Sequence, residues 1–118
     1  MKKKNPDATR TFSDAHEKSV CKALNGLQQS NSGAGNFRKG DVVIPTASML
    51  CECKTTMTDK QSVSIKKEWI DKNKEEAFAM RLENQCVCFN FGPNSPNYYV
   101  INESLMRFLC EKLEEEFS

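Results

Sequence analysis

The 118-residue chain has no apolar run of membrane-spanning length, no signal peptide and no lipidation motif. The expectation is a soluble cytoplasmic protein, in the host-cell cytoplasm if a phage or mobile element encodes it. Histidine is almost missing: His16 stands alone, so chemistry that needs several imidazoles is excluded. Placed in the first turn of an expected helix, His16 reads as a solvated side chain. No segment has zinc-finger spacing or the look of a base-reading helix, which argues against recognition of base sequence. The net charge is only +1, too small to mark a polyanion-binding protein by itself.

The charges are unevenly spread. Residues 1–75 hold 14 Lys and Arg against 9 Asp and Glu, and residues 76–118 hold 3 against 7. A basic first part and an acidic end fit either a phosphate-facing surface or an ordinary solvated one. Six cysteines in a reducing compartment read as buried thiols more readily than as disulfides. Cys51-x-Cys53 and Cys86-x-Cys88 offer four thiolates to a zinc ion. Each pair is Cys-x-Cys inside an expected strand, however, so core packing is the better reading.

A chain of this length makes one domain with a single modest core. Residues 1–12, with Lys2, Lys3, Lys4 and Pro6, read as a flexible basic tail, and residues 13–118 as the domain. Ser13 or Asp14 is expected to cap a helix to about Leu27, with Ala15, Cys21, Leu24 and Leu27 along its apolar stripe. Asp14 and Glu17 have the spacing of a capping pair. Residues 28–39 are rich in Ser, Asn, Gly and Gln and read as a loop closed by Arg38 and Lys39. Val63 and Ile65, alternating with serines, suggest a strand. A helix is expected from about Lys66 to Glu83, with Trp69, Ile70, Ala77, Phe78 and Met80 inward. Strands over Gln85–Phe91 and Tyr98–Ile101 flank a Gly-Pro turn, and a helix over Glu103–Phe117 follows, carrying Leu105, Met106, Phe108, Leu109 and Leu113. Its apolar face either completes the core or forms a dimer interface. Trp69, Tyr98 and Tyr99 read as packing residues rather than base-stacking platforms. The expected order is helix, three strands, helix, two strands, helix: an α/β domain with a mixed sheet flanked by helices.

The chemistry concentrates between Gly40 and Lys54. Two short strands joined at Pro45-Thr46-Ala47 would carry Asp41 on the first and Glu52 and Lys54 on the second, with Glu52 and Lys54 on one face. If the hairpin sets Asp41 alongside, two hard carboxylates can hold a divalent cation that keeps its waters, with Lys54 beside one of those waters. That is equipment for hydrolysing a phosphodiester.

Asp41 followed by Glu52-x-Lys54 at the end of an apolar strand resembles the signature of the PD-(D/E)xK nuclease superfamily, and within it the archaeal-type Holliday junction resolvases. The likeness also takes in Glu17 on a preceding helix, the Ser32-Gly33-x-Gly35 loop, and Ser64-Ile65-Lys66 ahead of the following helix, roughly Asp14 to Ile101. It departs from the pattern at Gly40, where proline is usual, and at Lys18, where the resolvases tend to carry arginine. The resemblance implies a restriction-endonuclease-like fold and a homodimeric, magnesium- or manganese-dependent DNA endonuclease acting on four-way junctions or other branched DNA. It implies Glu17, Asp41, Glu52 and Lys54 as catalytic residues. Asp41, Glu52 and the Cys53 backbone carbonyl would bind metal, with Glu17 as a further ligand, and Lys18, Ser32, Arg38, Lys39 and Lys66 would contact DNA. Lys54 would serve as base or as charge stabiliser. The alternatives are a related nuclease for flaps, ends or single strands, and a non-catalytic DNA-binding or assembly protein with the same fold.

Overall fold

The computed structural model of the chain describes residues 6–29 and 41–118, with residues 6–9 by their backbone alone. The elements are α1 (Pro6–Leu24), β1 (Leu27–Gln28), β2 (Asp41–Ile44), β3 (Met49–Lys54), α2 (Lys67–Ala79), β4 (Asn84–Phe89), β5 (Tyr98–Val100) and α3 (Glu103–Phe117). The strands form one mixed sheet in the order β1-β2-β3-β4-β5. Only the β3–β4 pair is parallel, and α2 is the crossover that such a pair requires.

Several boundaries differ from the sequence expectation, each for a local reason. The first helix begins at Pro6, within the stretch expected to be an irregular tail. Proline has no N–H to lose at a first helical position, where it is favoured. That start leaves Asp14 and Glu17 inside the helix, so neither is a cap. The helix stops at Leu24 because Asn25 turns left-handed at φ 59 and the Gly26 N–H closes on Cys21 O at 3.0 Å, a Schellman ending. A Cβ on Gly26 would lie 2.5 Å from Val42 Cγ1, so only glycine lets the chain pass that closely. Leu27 is therefore a strand residue, 61% exposed, and not part of the helical stripe. It pairs with Val43, and Gln28 with Val42. The strand expected at Val63 and Ile65 is an extended approach to α2 that pairs with nothing among the described residues.

Two faces bury the core. Under α1, Val20 packs on Val42, Ile44, Cys51, Cys86 and Cys88, flanked by Cys21, Leu24, Met49, Cys53 and Tyr99. The opposite face holds Leu50 and Val87, buried with Ala77. Full burial of one such aliphatic side chain contributes about 1.5–3 kcal/mol. Asn73 fastens α2 to the sheet by donating through Nδ2 to Cys86 O at 2.9 Å and Leu50 O at 3.4 Å. The helix ends earlier than expected, at Ala79, because Arg81 is left-handed at φ 60 and the Leu82 N–H bonds Ala77 O at 2.8 Å. Of the residues expected to face inward from α2, Ala77 is buried, whereas Phe78 is 85% exposed and Ile70 and Met80 are also exposed.

Asn102 caps α3, its Oδ1 accepting from the Leu105 N–H at 2.8 Å. No residue of α3 is buried. Met106, Phe108, Leu109, Leu113 and Phe117 are all exposed, and the helix makes few contacts with the other elements. No helix among the described residues is long and apolar enough to cross a membrane.

Candidate active site

The β2–β3 hairpin turns where the sequence places a break. Pro45–Ala47 form a 3-10 turn, and Ser48, left-handed at φ 48, returns its N–H to Pro45 O at 3.1 Å. This turn sets the register, which runs Ile44 against Met49, Val43 against Leu50, Val42 against Cys51 and Asp41 against Glu52. Directly paired residues share a face, and so do residues two apart. Asp41, Glu52 and Lys54 therefore lie on one face, and Cys51 and Cys53 on the other, under α1. Asp41 is 5% exposed.

The Lys54 ammonium stands 3.2 Å from Glu52 Oε1, with 14% of the Glu52 side chain exposed and 35% of the Lys54 side chain. It also sits 4.8 Å above the Trp69 ring. Lys66 Nζ is 5.7 Å from the same ring. A cation over an indole face is drawn by the ring quadrupole, so Trp69 gathers both lysines at the start of α2. The sequence pattern assigned Trp69 to packing; its amphipathic position carried no sign of this second contact.

Glu17 is buried at 2% exposure on α1. Gln28 Nε2 donates to Glu17 Oε1 at 3.4 Å and to Asp14 Oδ1 at 3.0 Å. Asp14 also pairs with Lys18 at 2.9 Å, an i, i+4 contact on the outer side of the helix. Ser32, Gly33, Gly35, Arg38 and Lys39 lie outside the described residues.

Among the described residues no three His, Cys, Asp or Glu side chains form a ready-made metal cage. Asp41 and Glu52, on facing positions of adjacent strands, are a two-carboxylate set. Magnesium accepts such a set while keeping waters and taking further oxygens from a phosphate, so by donor chemistry the pair fits a hard cation.

The other face holds what the sequence reading missed. His16 is 5% exposed, not solvated, and its Nε2 lies 3.4 Å from Cys88 Sγ. The spacing His16, Val20, Leu24 is the i, i+4 signal that marks this stripe. Cys51 is the register partner of Cys86, and Cys53 of Cys88, and all these thiols are free. Interaction with Cys51, opposed by burial and aided by His16, draws the Cys88 thiol down to about 6, while Cys53 first, then Cys86 and Cys88, together with burial, push the Cys51 thiol up. Burial, then the nearby Cys53 and Glu17, pushes the Cys21 thiol up. The sequence matches no family model, and no curated protein or solved structure matches the chain.

Proposed function

We propose that the chain is a metal-dependent DNA endonuclease of the PD-(D/E)xK kind, with a restriction-endonuclease-like fold and branched DNA, four-way junctions above all, as substrate. The observation that carries this reading is the β2–β3 register, with Asp41 opposite Glu52 and the Lys54 ammonium 3.2 Å from the Glu52 carboxylate. Asp41, Glu52 and the Cys53 carbonyl would hold magnesium or manganese; Glu17, on α1 with Gln28 as its partner, lies over the opposite face of the sheet and would join the ion only around the edge of β2. When bound, the ion supplies charge neutralisation and an acidified water. Lys54 keeps a positive charge, or takes a proton, at the position where the attacking water and the phosphoryl oxygens meet. Lys66, drawn in by Trp69, adds a second ammonium for a neighbouring phosphate. Two copies would place two such sites on one branched substrate, and the apolar stripe of α3 supplies a surface for pairing them.

The test is cleavage of labelled four-way junction, flap, single-stranded and linear duplex DNA with magnesium or manganese, comparing wild type with Asp41→Asn and Lys54→Ala. Paired symmetric cuts in the junction that vanish in both variants are expected. Cuts that survive both substitutions would place the chemistry elsewhere. The absence of a three-ligand cage among the described residues favours one alternative, a DNA-binding module without chemistry. Such a module would show no magnesium binding that Glu52→Gln abolishes, and a titration of both proteins decides between the two.

A further inference from the structure

A cavity of about 500 Å³ opens between α1 and the loop that joins β4 to β5. It lies where Thr55 and Asn90 leave β3 and β4, at the carboxyl ends of the two parallel strands, the end at which open α/β sheets take ligands. Its volume is that of a small-molecule pocket. Among its described lining side chains none is an aspartate, glutamate, lysine or arginine. A phosphate would find no countercharge there, and a metal no carboxylate.

The lining is instead made of carboxamides and hydroxyls on an apolar wall that includes Phe12 and Pro93. Two amides are oriented by neighbours. Thr55 Oγ1 donates to Asn90 Oδ1 at 2.9 Å, which leaves the Asn90 amino group as a donor. Asn97 Nδ2 donates to Ser19 Oγ at 3.0 Å, which leaves the Asn97 carbonyl as an acceptor. His16, 5% exposed, lines the same cavity, and its Nδ1 has no hydrogen-bond partner among the described residues. An uncharged ring with donors and acceptors along its edge matches that set, as nucleobases do when asparagine reads them.

From this we infer that the cavity receives one unpaired nucleobase of a nucleic-acid strand whose phosphate lies at Lys54. The link between the two sites is covalent and short. Thr55 follows Lys54 directly, and successive Cα atoms are about 3.8 Å apart. Lys54 turns to Glu52 and Trp69 on one face of the sheet, while Thr55 turns into the cavity with Asn90. A strand crossing the carboxyl edge of β3 and β4 then sets its backbone against the lysine and the adjoining base into the cavity. A stacked, paired base cannot enter, so the cavity selects branch points, flaps and single strands over continuous duplex. This inference rests on the nuclease reading for the phosphate, but not for the base.

The test uses a single-stranded oligonucleotide carrying one 2-aminopurine, the same strand with an abasic site at that position, and free nucleosides. Binding is read in EDTA, where no metal-dependent cutting occurs. Ala15→Trp plugs the cavity from an exposed position on α1, and Asn97→Leu removes the acceptor. Wild type should bind the abasic strand roughly 10-fold more weakly than the intact one, and both variants should lose that difference. Free nucleosides should shift the ring signals of His16, which are unambiguous because the chain has one histidine. Equal binding of intact and abasic strands by wild type, or an unchanged difference in Ala15→Trp, overturns the inference. Nucleoside-dependent His16 shifts without any cleavage would uphold the cavity and remove the nuclease; cleavage with no abasic effect would do the reverse.

Discussion

Removing Trp69 tests whether Lys54 is held or merely adjacent. The Lys54 ammonium lies 4.8 Å above the indole and 3.2 Å from Glu52 Oε1, and with 35% of its side chain exposed it is neither fully solvated nor buried. A cation–π contact contributes about 0.5–1 kcal/mol at exposed sites and about 2 when desolvated, so a coupling of about 1 kcal/mol is expected. Trp69→Leu alone would mix that contact with lost apolar burial. A double-mutant cycle with Lys54→Met separates the two. For a chain of 118 residues the entropy of unfolding makes 1 kcal/mol equal to about 4 °C of Tm. The double variant should therefore melt about 4 °C higher than the sum of the single losses implies. Thermal unfolding followed by circular dichroism measures this without reference to activity. Additivity within about 0.3 kcal/mol would refute the coupling. If Lys54 works in catalysis, the same 1 kcal/mol appears as a roughly 5-fold fall in kcat for Trp69→Leu with KM unchanged, and Trp69→Phe should recover part of it.

Other parts of the structure give equally direct expectations. Gly26→Ala drives a methyl to 2.5 Å from Val42 Cγ1 and should cost about 1–3 kcal/mol, read as a lower urea midpoint; an unchanged midpoint would mean that α1 is not seated on β2 as described. Because Cys88 is held down to about 6 against an ordinary 9.0, the native state binds fewer protons than the unfolded chain between those values. Stability should rise from pH 6 toward 9 and be lost as pH falls through 6, and the thiolate absorbance at 240 nm should disappear in Cys88→Ala. Asn102→Ala removes the cap that bonds the Leu105 N–H, worth about 1 kcal/mol. Since α3 buries nothing, the loss should show as reduced helicity at 222 nm with an unchanged midpoint for the sheet.

The hairpin and the last helix were legible because each is signalled by residues close together. Pro45 breaks one apolar run into two, and the register then follows from the turn, which is why the alignment of Asp41 with Glu52 could be anticipated as a condition. The start of α3 follows from the Asn102 cap, which comes directly after the apolar run Tyr98–Ile101. What failed depended on distant partners. Val63 and Ile65 have a strand's alternation but no sheet edge to join, whereas Leu27–Gln28 has no pattern at all and becomes a strand because the Asn25-Gly26 ending swings it beside Val42 and Val43. His16 stands four residues before Val20 on one helical stripe wherever the helix begins, but its burial depends on β4, whose Cys88 Sγ meets its Nε2 at 3.4 Å from 72 residues away. The cavity could not be read from sequence, since its walls come from segments that meet only when β3 and β4 lie side by side.

The exposed stripe of α3 has a consequence for how ordered the molecule is. A 15-residue helix with little tertiary support sits near the length at which isolated helices are marginal in water. If two copies pair through this stripe as proposed, its helicity rises with concentration: dilute protein carries a fraying arm beyond a firm sheet, and concentrated protein a rigid rod. Far-ultraviolet ellipticity that grows on concentrating the sample, while the near-ultraviolet signal of the body stays constant, would report that change directly.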